Sequence, residues 1–218
     1  MRQMDIVEPF QPGEKFMKKA LITLAIVIGI IVILAFVVGG WVVGIRNNLV
    51  TSQEHVNQSW AQVQNVYQRR YDLIPNLVET VRGYAKQERE TFIAVTEARA
   101  KVGQIQVSGD VLNDPEKFKQ FQQAQAQLGG ALSRLLAVSE SYPQLKSNEN
   151  FLQLQSQLEG TENRIAVERR RFNEAAQAYN TTLRKFPENI VAGFFGFNQR
   201  PYFEAQPEAQ TAPRVKFQ

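Results

Sequence analysis

The apolar and polar positions divide this chain into one unbroken apolar block and a long stretch of seven-residue periodicity. From Ala20 to Ile45 the block ALITLAIVIGIIVILAFVVGGWVVGI carries no charged residue. A membrane-spanning helix needs about 20 apolar residues at a rise of about 1.5 Å each. The block therefore predicts a transmembrane helix over 20–45, with slack for a tilt or an exit at Gly39-Gly40-Trp41. Trp41 falls where an interfacial aromatic sits. A cleaved signal peptide has an apolar core of only about 7–15 residues and ends in a small-residue cleavage site. This core is longer and no A-x-A pattern follows it, so it reads as a retained anchor.

Beyond the block, apolar residues recur at spacings of three and four, the signature of helices burying one stripe. Leu49, Val56 and Val63 form one row and Trp60, Tyr67 and Ile74 a second; Val78, Val81, Ala85, Phe92, Val95 and Val102 continue them. The stretch RRYDLIPNLVETV (69–81) interrupts this pattern with a proline. Pro75 lacks the helical donor and clashes with the preceding turn, so Asp72, Pro75 and Asn76 are expected to form a kink, a break or the start of a new helix. GQIQVSGDVLNDPEK then reads as a loop with Gly103 and Gly109 as breakers. Asp114-Pro115-Glu116 opens the next helix with an oxygen cap, a proline at the first position and an acid in the first turn. Phe118, Phe121, Leu128, Leu132 and Leu135 form its apolar face, and it stops at Tyr142-Pro143. Gly129-Gly130 inside that helix costs about 1 kcal/mol per glycine relative to alanine, and close approach of a neighbouring helix is the expected reason.

The last long helix starts after Asn148 and places Phe151, Leu158, Ile165, Phe172, Tyr179 and Phe186 at a strict interval of seven. Leu154, Thr161, Glu168 and Ala175 make a second row. Running from Glu149 to Phe186, such a helix is about 57 Å long, which suits an elongated bundle or a self-associating coiled-coil surface. No strand-like alternation of useful length occurs. The expected fold is all-α: one N-terminal transmembrane helix, then an elongated antiparallel up-and-down bundle of about four long helices. The expected divisions are a basic segment 1–19, the span 20–45, the bundle 46–186, a Phe-rich segment 187–205 and a disordered tail 206–218.

Three stretches carry a resemblance. RRYDLIPNLVETVRGYAKQERETFIAVTEARAKV, LSRLLAVSESYPQLKSNENFLQLQSQLEGTENRIAVERRRFNEAAQAYN and RKFPENIVAGFFGFNQRPYFEA, in that order, closely resemble the LemA family over roughly residues 45 to 205. The resemblance implies a bacterial protein with one N-terminal membrane segment and a long antiparallel bundle. It implies no biochemical activity: members have been tied to cell-envelope functions, to genes for membrane-bound proteases and, in one lineage, to magnetosome membranes. This chain lacks the lipoprotein-type cysteine of some relatives, so its anchor is expected to be a protein helix.

Charge sets the expected orientation. Arg2, Lys15, Lys18 and Lys19 precede the apolar block, whereas only Arg46 lies in the twenty residues after it. Basic residues are preferentially kept in the cytoplasm, which predicts a single-pass protein of the inner (cytoplasmic) membrane with its C-terminal domain on the periplasmic or extracellular side. After the block, twenty-one Lys and Arg face eighteen Asp and Glu, too small a basic excess to suggest nucleic acid.

Candidate chemistry is sparse. The chain has no cysteine and one histidine, His55. Glu159 and Glu162 have i,i+3 spacing, but a bundle di-metal site uses Glu-x-x-His motifs on two helices. No phosphate-cradling motif is present. No catalytic, cofactor-binding or metal residue is assigned, no cofactor is expected, and the chain is not expected to be an enzyme. Arg70, Glu88, Arg99, Thr161 and Glu168 interrupt the seams and are expected at seam edges or in buried ion pairs that fix register. The run Glu168-Arg169-Arg170-Arg171 reads as a solvated face, with anionic headgroups or an acidic partner as the alternative. Phe194, Phe195, Phe197, Tyr202 and Phe203 concentrate in the segment after Pro187. They either cap the bundle or contact a membrane or partner. The expected function is that of a non-enzymatic, membrane-anchored scaffold of the bacterial envelope, self-assembling through its bundle. Membrane lipid, further copies of the chain and a membrane protein such as a protease are the expected partners. A lipid-contacting, membrane-shaping protein and a protease adaptor are the alternatives.

Overall fold

The computed structural model describes residues 12–107 and 111–204. The N-terminal eleven residues, Gly109 and the tail 206–218 lie outside them. The chain forms two compact units, Met1–Asn47 and Asn48–Gln218. Helix α1 is assigned from Pro12 to Tyr84 and contributes to both. It is followed by α2 (Arg89–Val107), α3 (Pro115–Val138), a 3-10 turn (Ser139–Ser141), the short α4 (Pro143–Lys146), α5 (Glu149–Arg184) and α6 (Glu188–Phe195). No strand is present among the described residues.

In the first unit the apolar residues from Leu21 to Trp41 are exposed on every side of the helix, Leu21, Ile28, Leu34 and Phe36 among them. A helix apolar all round is one whose solvent is lipid or protein core. None of its most apolar stretch is buried, and the helix is long and apolar enough to cross a membrane.

The second unit is the bundle. The part of α1 beyond Asn48 runs antiparallel to α5 in constant register: Trp60 meets Phe172, Arg70 meets Glu162, and Tyr84 meets Asn148. Each step along α1 is matched by one step back along α5, so Arg184 lies level with Asn48. Helix α2 returns against α1, with Arg82 over the Phe92 ring and Arg99 over the Tyr71 ring. Helix α3 then runs parallel to α1, bringing Phe118 and Phe121 to Trp60 and Gln125 to Arg70. The expected seam rows are the core: Val56, Val63, Ile74, Val81, Val95, Leu128, Leu135, Phe151, Leu158, Ile165, Phe172 and Tyr179 are all buried.

Four local expectations are corrected. Residues Asp72, Pro75 and Asn76 form no break and start no helix; α1 runs through Pro75, and all three are exposed. The reversal falls at Ala85–Glu88 instead. The reason is a repair: Pro75 cannot donate to the Tyr71 carbonyl one turn back, and Arg99 Nε donates to that oxygen instead, at 3.4 Å. Gly103 does not end α2, which continues to Val107. Gly129 and Gly130 do not mark a close helix approach, because a Cβ at either position would meet nothing within 4 Å. Phe186 leaves the seam, since α5 ends at Arg184 and its ring is 79% exposed. The expected helix starts are present: Asp114 caps α3 by accepting from the Glu116 and Lys117 amides, and Asn148 caps α5 by accepting from that of Phe151.

Candidate functional site

Three features concentrate side chains whose placement goes beyond simple seam packing. The first is a buried polar cluster on the aromatic half of the bundle. Arg70 is 3% exposed and Gln125 5% exposed. The Arg70 guanidinium donates to Glu162 Oε1 at 3.0 Å and to the Gln125 side-chain oxygen, and lies 5.0 Å over the Tyr67 ring. A buried cation is tolerated only when paired and hydrogen-bonded. Here pairing comes from three helices at once, which fixes their relative register. Burial pushes the Tyr67 phenol above its ordinary pKa, against the opposing pull of Arg169 and Arg70. Arg70 Nε and Gln125 Nε2 are buried without a hydrogen-bond partner among the described residues.

This cluster floors a groove of about 970 Å³ between α3 and α5. Gly129, Gly130, Ser133 and Leu136 form the α3 wall, and Leu158, Glu159, Glu162 and Asn163 the α5 wall. Charged side chains line both ends, Lys119 and Arg169 with Glu204 toward one and Glu159 and Glu162, the latter paired with Arg70, toward the other.

The second feature is an extended strap, residues 197–204, held against α5 by amide side chains. Asn180 donates to Arg200 O and accepts from Arg200 N, both at 2.8 Å. One heptad earlier, Asn173 does the same with Phe203, both bonds at 2.9 Å. Gln122 on α3 donates to Tyr202 O and accepts from Glu204 N. A primary amide offers the same donor and acceptor pair as a peptide group, so these side chains stand in for a neighbouring strand. Seven helical residues advance about 10 Å and three extended residues also about 10 Å, so the two repeats stay in step. The strap delivers Phe203 into the core, where it meets Trp60, Phe118 and Phe172. Arg169 closes over it, with its carbon 4.6 Å from the ring and a hydrogen bond to Glu204 O.

The third feature is α6. Val191 and Ala192 are buried, while Phe186, Ile190 and Phe194 are 79%, 63% and 84% exposed. Gly196, in the left-handed conformation at φ 74°, ends the helix and turns the chain into the strap.

The Phe-rich segment thus divides. Phe203 is buried and offers no surface for a membrane or partner. Tyr202 is half-exposed, with its hydroxyl oxygen accepting from Asn180. Phe197 is half-buried, and Phe194 and Phe195 are exposed. The Arg169–Arg171 run divides too. Arg169 is committed to the strap, whereas Arg171 pairs with Glu168 and Arg170 reaches toward Glu174 on the exposed side. His55 is exposed. Of the i,i+3 acids, Glu162 is taken by Arg70, and Glu159 accepts from Gln155. No group of three His, Cys, Asp or Glu gathers among the described residues. Asn173, Asn180, Gln122 and Gln125 escape a reading based on apolar periodicity. One signal for two of them is present: Asn173 and Asn180 each directly follow an aromatic of the heptad row.

Comparison with known proteins matches residues 59–217 to the LemA family. The chain is 30% identical over 181 residues to the magnetosome protein MamQ 2 of Paramagnetospirillum magneticum and 28% identical over 181 residues to the magnetosome protein MamQ of Magnetospirillum gryphiswaldense. Each match covers 76% of this chain and 66% of the relative, so the chain spans just under two thirds of the length of these relatives. It is also 26% identical over 150 residues to Protein LemA of Metamycoplasma hominis, covering 69% of this chain and 64% of that one. None of these relatives carries an enzyme's name.

Proposed function

The chain belongs to the LemA family, and on that premise we propose that it is a membrane-anchored interaction protein of the bacterial envelope, acting by binding and assembling with copies of itself through the α3–α5 flank. The observation that carries the reading is the open groove between these helices. Its glycine pair, Gly129 and Gly130, has room at Cβ that no neighbour within the chain fills. Small residues on an uncovered helix face let a second backbone approach. Lys119 and Glu159, opposite charges toward opposite ends of the groove, favour a second copy as the occupant. A two-fold axis across the groove sets the Lys119 end of one copy against the Glu159 end of the other, the self-complementarity that a symmetric dimer requires.

The polar residues of the bundle support binding over catalysis, because they are engaged in holding helices and strap together. The expected placement is a single-pass protein of the inner membrane with the bundle on the periplasmic side, supported by the basic residues ahead of the apolar block. The experiment is mass measurement of the intact protein in bilayer patches excised from native membranes with a polymer. Two or more copies per patch are expected. Lys119→Glu and Glu159→Lys should each lower the copy number, and the two together should restore it. A strict monomer for the natural sequence refutes self-assembly, and a mass added by a different membrane protein replaces it with a heterotypic partner.

A further inference from the structure

We propose that α6 is a second membrane contact, an in-plane helix that rests an apolar edge in the bilayer interface, formed by Ile190 and Phe194 on the helix and Phe186 in the turn that leads into it. The inference builds on the reading of 20–45 as a membrane span and adds a lipid-binding surface to the bundle itself. Three observations meet here. The edge is apolar and uncovered: Ile190 and Phe194 sit one turn apart on α6 and Phe186 in the turn before it, and the three are 63%, 84% and 79% exposed. The opposite side is fixed to the bundle by Val191 and Ala192, so the helix presents one face outward, as an interfacial helix does.

Position supplies the second observation. The register of α1 against α5, set by Tyr84–Asn148, Arg70–Glu162 and Trp60–Phe172, brings Arg184 level with Asn48. Asn48 lies three residues beyond Ile45, the last residue of the apolar block. Helix α6 follows Arg184 after a three-residue turn. The end of the bundle that carries α6 is therefore the end where the chain enters the apolar block, whatever angle the chain takes there. Charge supplies the third. Arg184 and Lys185 are exposed immediately before the edge, at the depth where cations meet lipid phosphates. A protein partner for this edge would not require proximity to the span; a lipid surface does.

The chain has no cysteine, so single-cysteine full-length variants can carry a spin label without further change. Ile190→Cys and Phe194→Cys report on the edge, and Ser156→Cys, exposed on α5 about 42 Å before Arg184, reports on the bundle flank. In vesicles of phosphatidylethanolamine and phosphatidylglycerol, the labels at 190 and 194 should be at least about fivefold less accessible to a water-soluble nickel reagent than the label at 156, and more accessible to oxygen. Equal nickel access at all three positions overturns the proposal. So does shielding at 194 accompanied by spin–spin broadening, which would put a second copy on the edge. Flotation of the same vesicles separates this from the anchor. Protein that floats with water-accessible 194 refutes only the α6 contact, whereas protein that fails to float refutes the membrane span as well.

Discussion

Replacing Pro75 by alanine tests the repair that lets α1 run through it. A proline in a helix interior costs about 3 kcal/mol relative to alanine. Part of that is already offset here, because the Tyr71 carbonyl it leaves without a partner accepts from Arg99. A bond of this kind contributes about 1 kcal/mol net, and its 3.4 Å length gives no reason to assume more. Proline also restricts the unfolded chain, an advantage of about 0.4–1 kcal/mol that Pro75→Ala gives up. The substitution is therefore expected to stabilise the bundle by about 1–2 kcal/mol, raising the midpoint of thermal unfolding by about 2–8 °C at about 2–4 °C per kcal/mol for a unit of this size. The sharper readout is coupling. Arg99→Met in the natural sequence loses both the carbonyl bond and the stacking on Tyr71, whose ring centre is 3.8 Å away. In the Pro75→Ala background the backbone supplies the bond, so the same change should cost about 1 kcal/mol less. Far-UV circular dichroism melts of the four full-length proteins in detergent measure both. Destabilisation by Pro75→Ala would contradict a net cost of the proline in this helix, and an identical cost of Arg99→Met in both backgrounds would show that Arg99 does not compensate for it.

Three further outcomes follow from the same geometry. Gly130→Ala should lower the copy number in native bilayer patches, because its methyl takes up the room through which the proposed second copy approaches. The monomeric fraction should gain about 0.5–1 kcal/mol, since within the chain a Cβ there meets nothing within 4 Å; an unchanged copy number would contradict assembly through the glycine pair. Arg70→Met should destabilise by about 1–3 kcal/mol by leaving the buried Gln125 side-chain oxygen without its donor. Adding Gln125→Leu should recover much of that loss, and additive costs in the double variant would contradict the network. Burial holds the Tyr67 phenol above its ordinary pKa of 10.0. The folded state thus keeps a proton that the unfolded chain releases near pH 10, so the stability from this group is complete below that pH and falls as pH rises from there through the folded-state value. Tyr67→Phe should flatten the alkaline end of a denaturation-versus-pH curve, and an unchanged slope would assign the alkaline loss elsewhere.

The seam rows were legible because burial acts on apolar residues one at a time, and seven-residue spacing records which face is buried. Phe151, Leu158, Ile165, Phe172 and Tyr179 occupy that face as expected. The caps at Asp114 and Asn148 were equally local and equally readable. Pro75 misled because its cost is local while its remedy, Arg99, is 24 residues away on another helix. Gly129 and Gly130 misled for a related reason: a missing side chain is compatible with a tight contact or with open space, and only neighbouring elements decide between them. The strap was hidden for a third reason. Asn173, Asn180 and Gln122 act through hydrogen bonds to backbone groups, and backbone partners leave no mark in a pattern of apolar positions.

The proposed function turns on what fills the α3–α5 groove, and a photoreactive side chain placed at Ser133 reads that out directly. Ser133 is exposed on the groove wall, so the probe projects toward the occupant. Irradiation of living cells followed by mass spectrometry should yield an adduct between two copies of this chain, crosslinked through α3 or α5. No intermolecular adduct at Ser133, with the same probe at a second groove position equally silent, would contradict assembly through this flank.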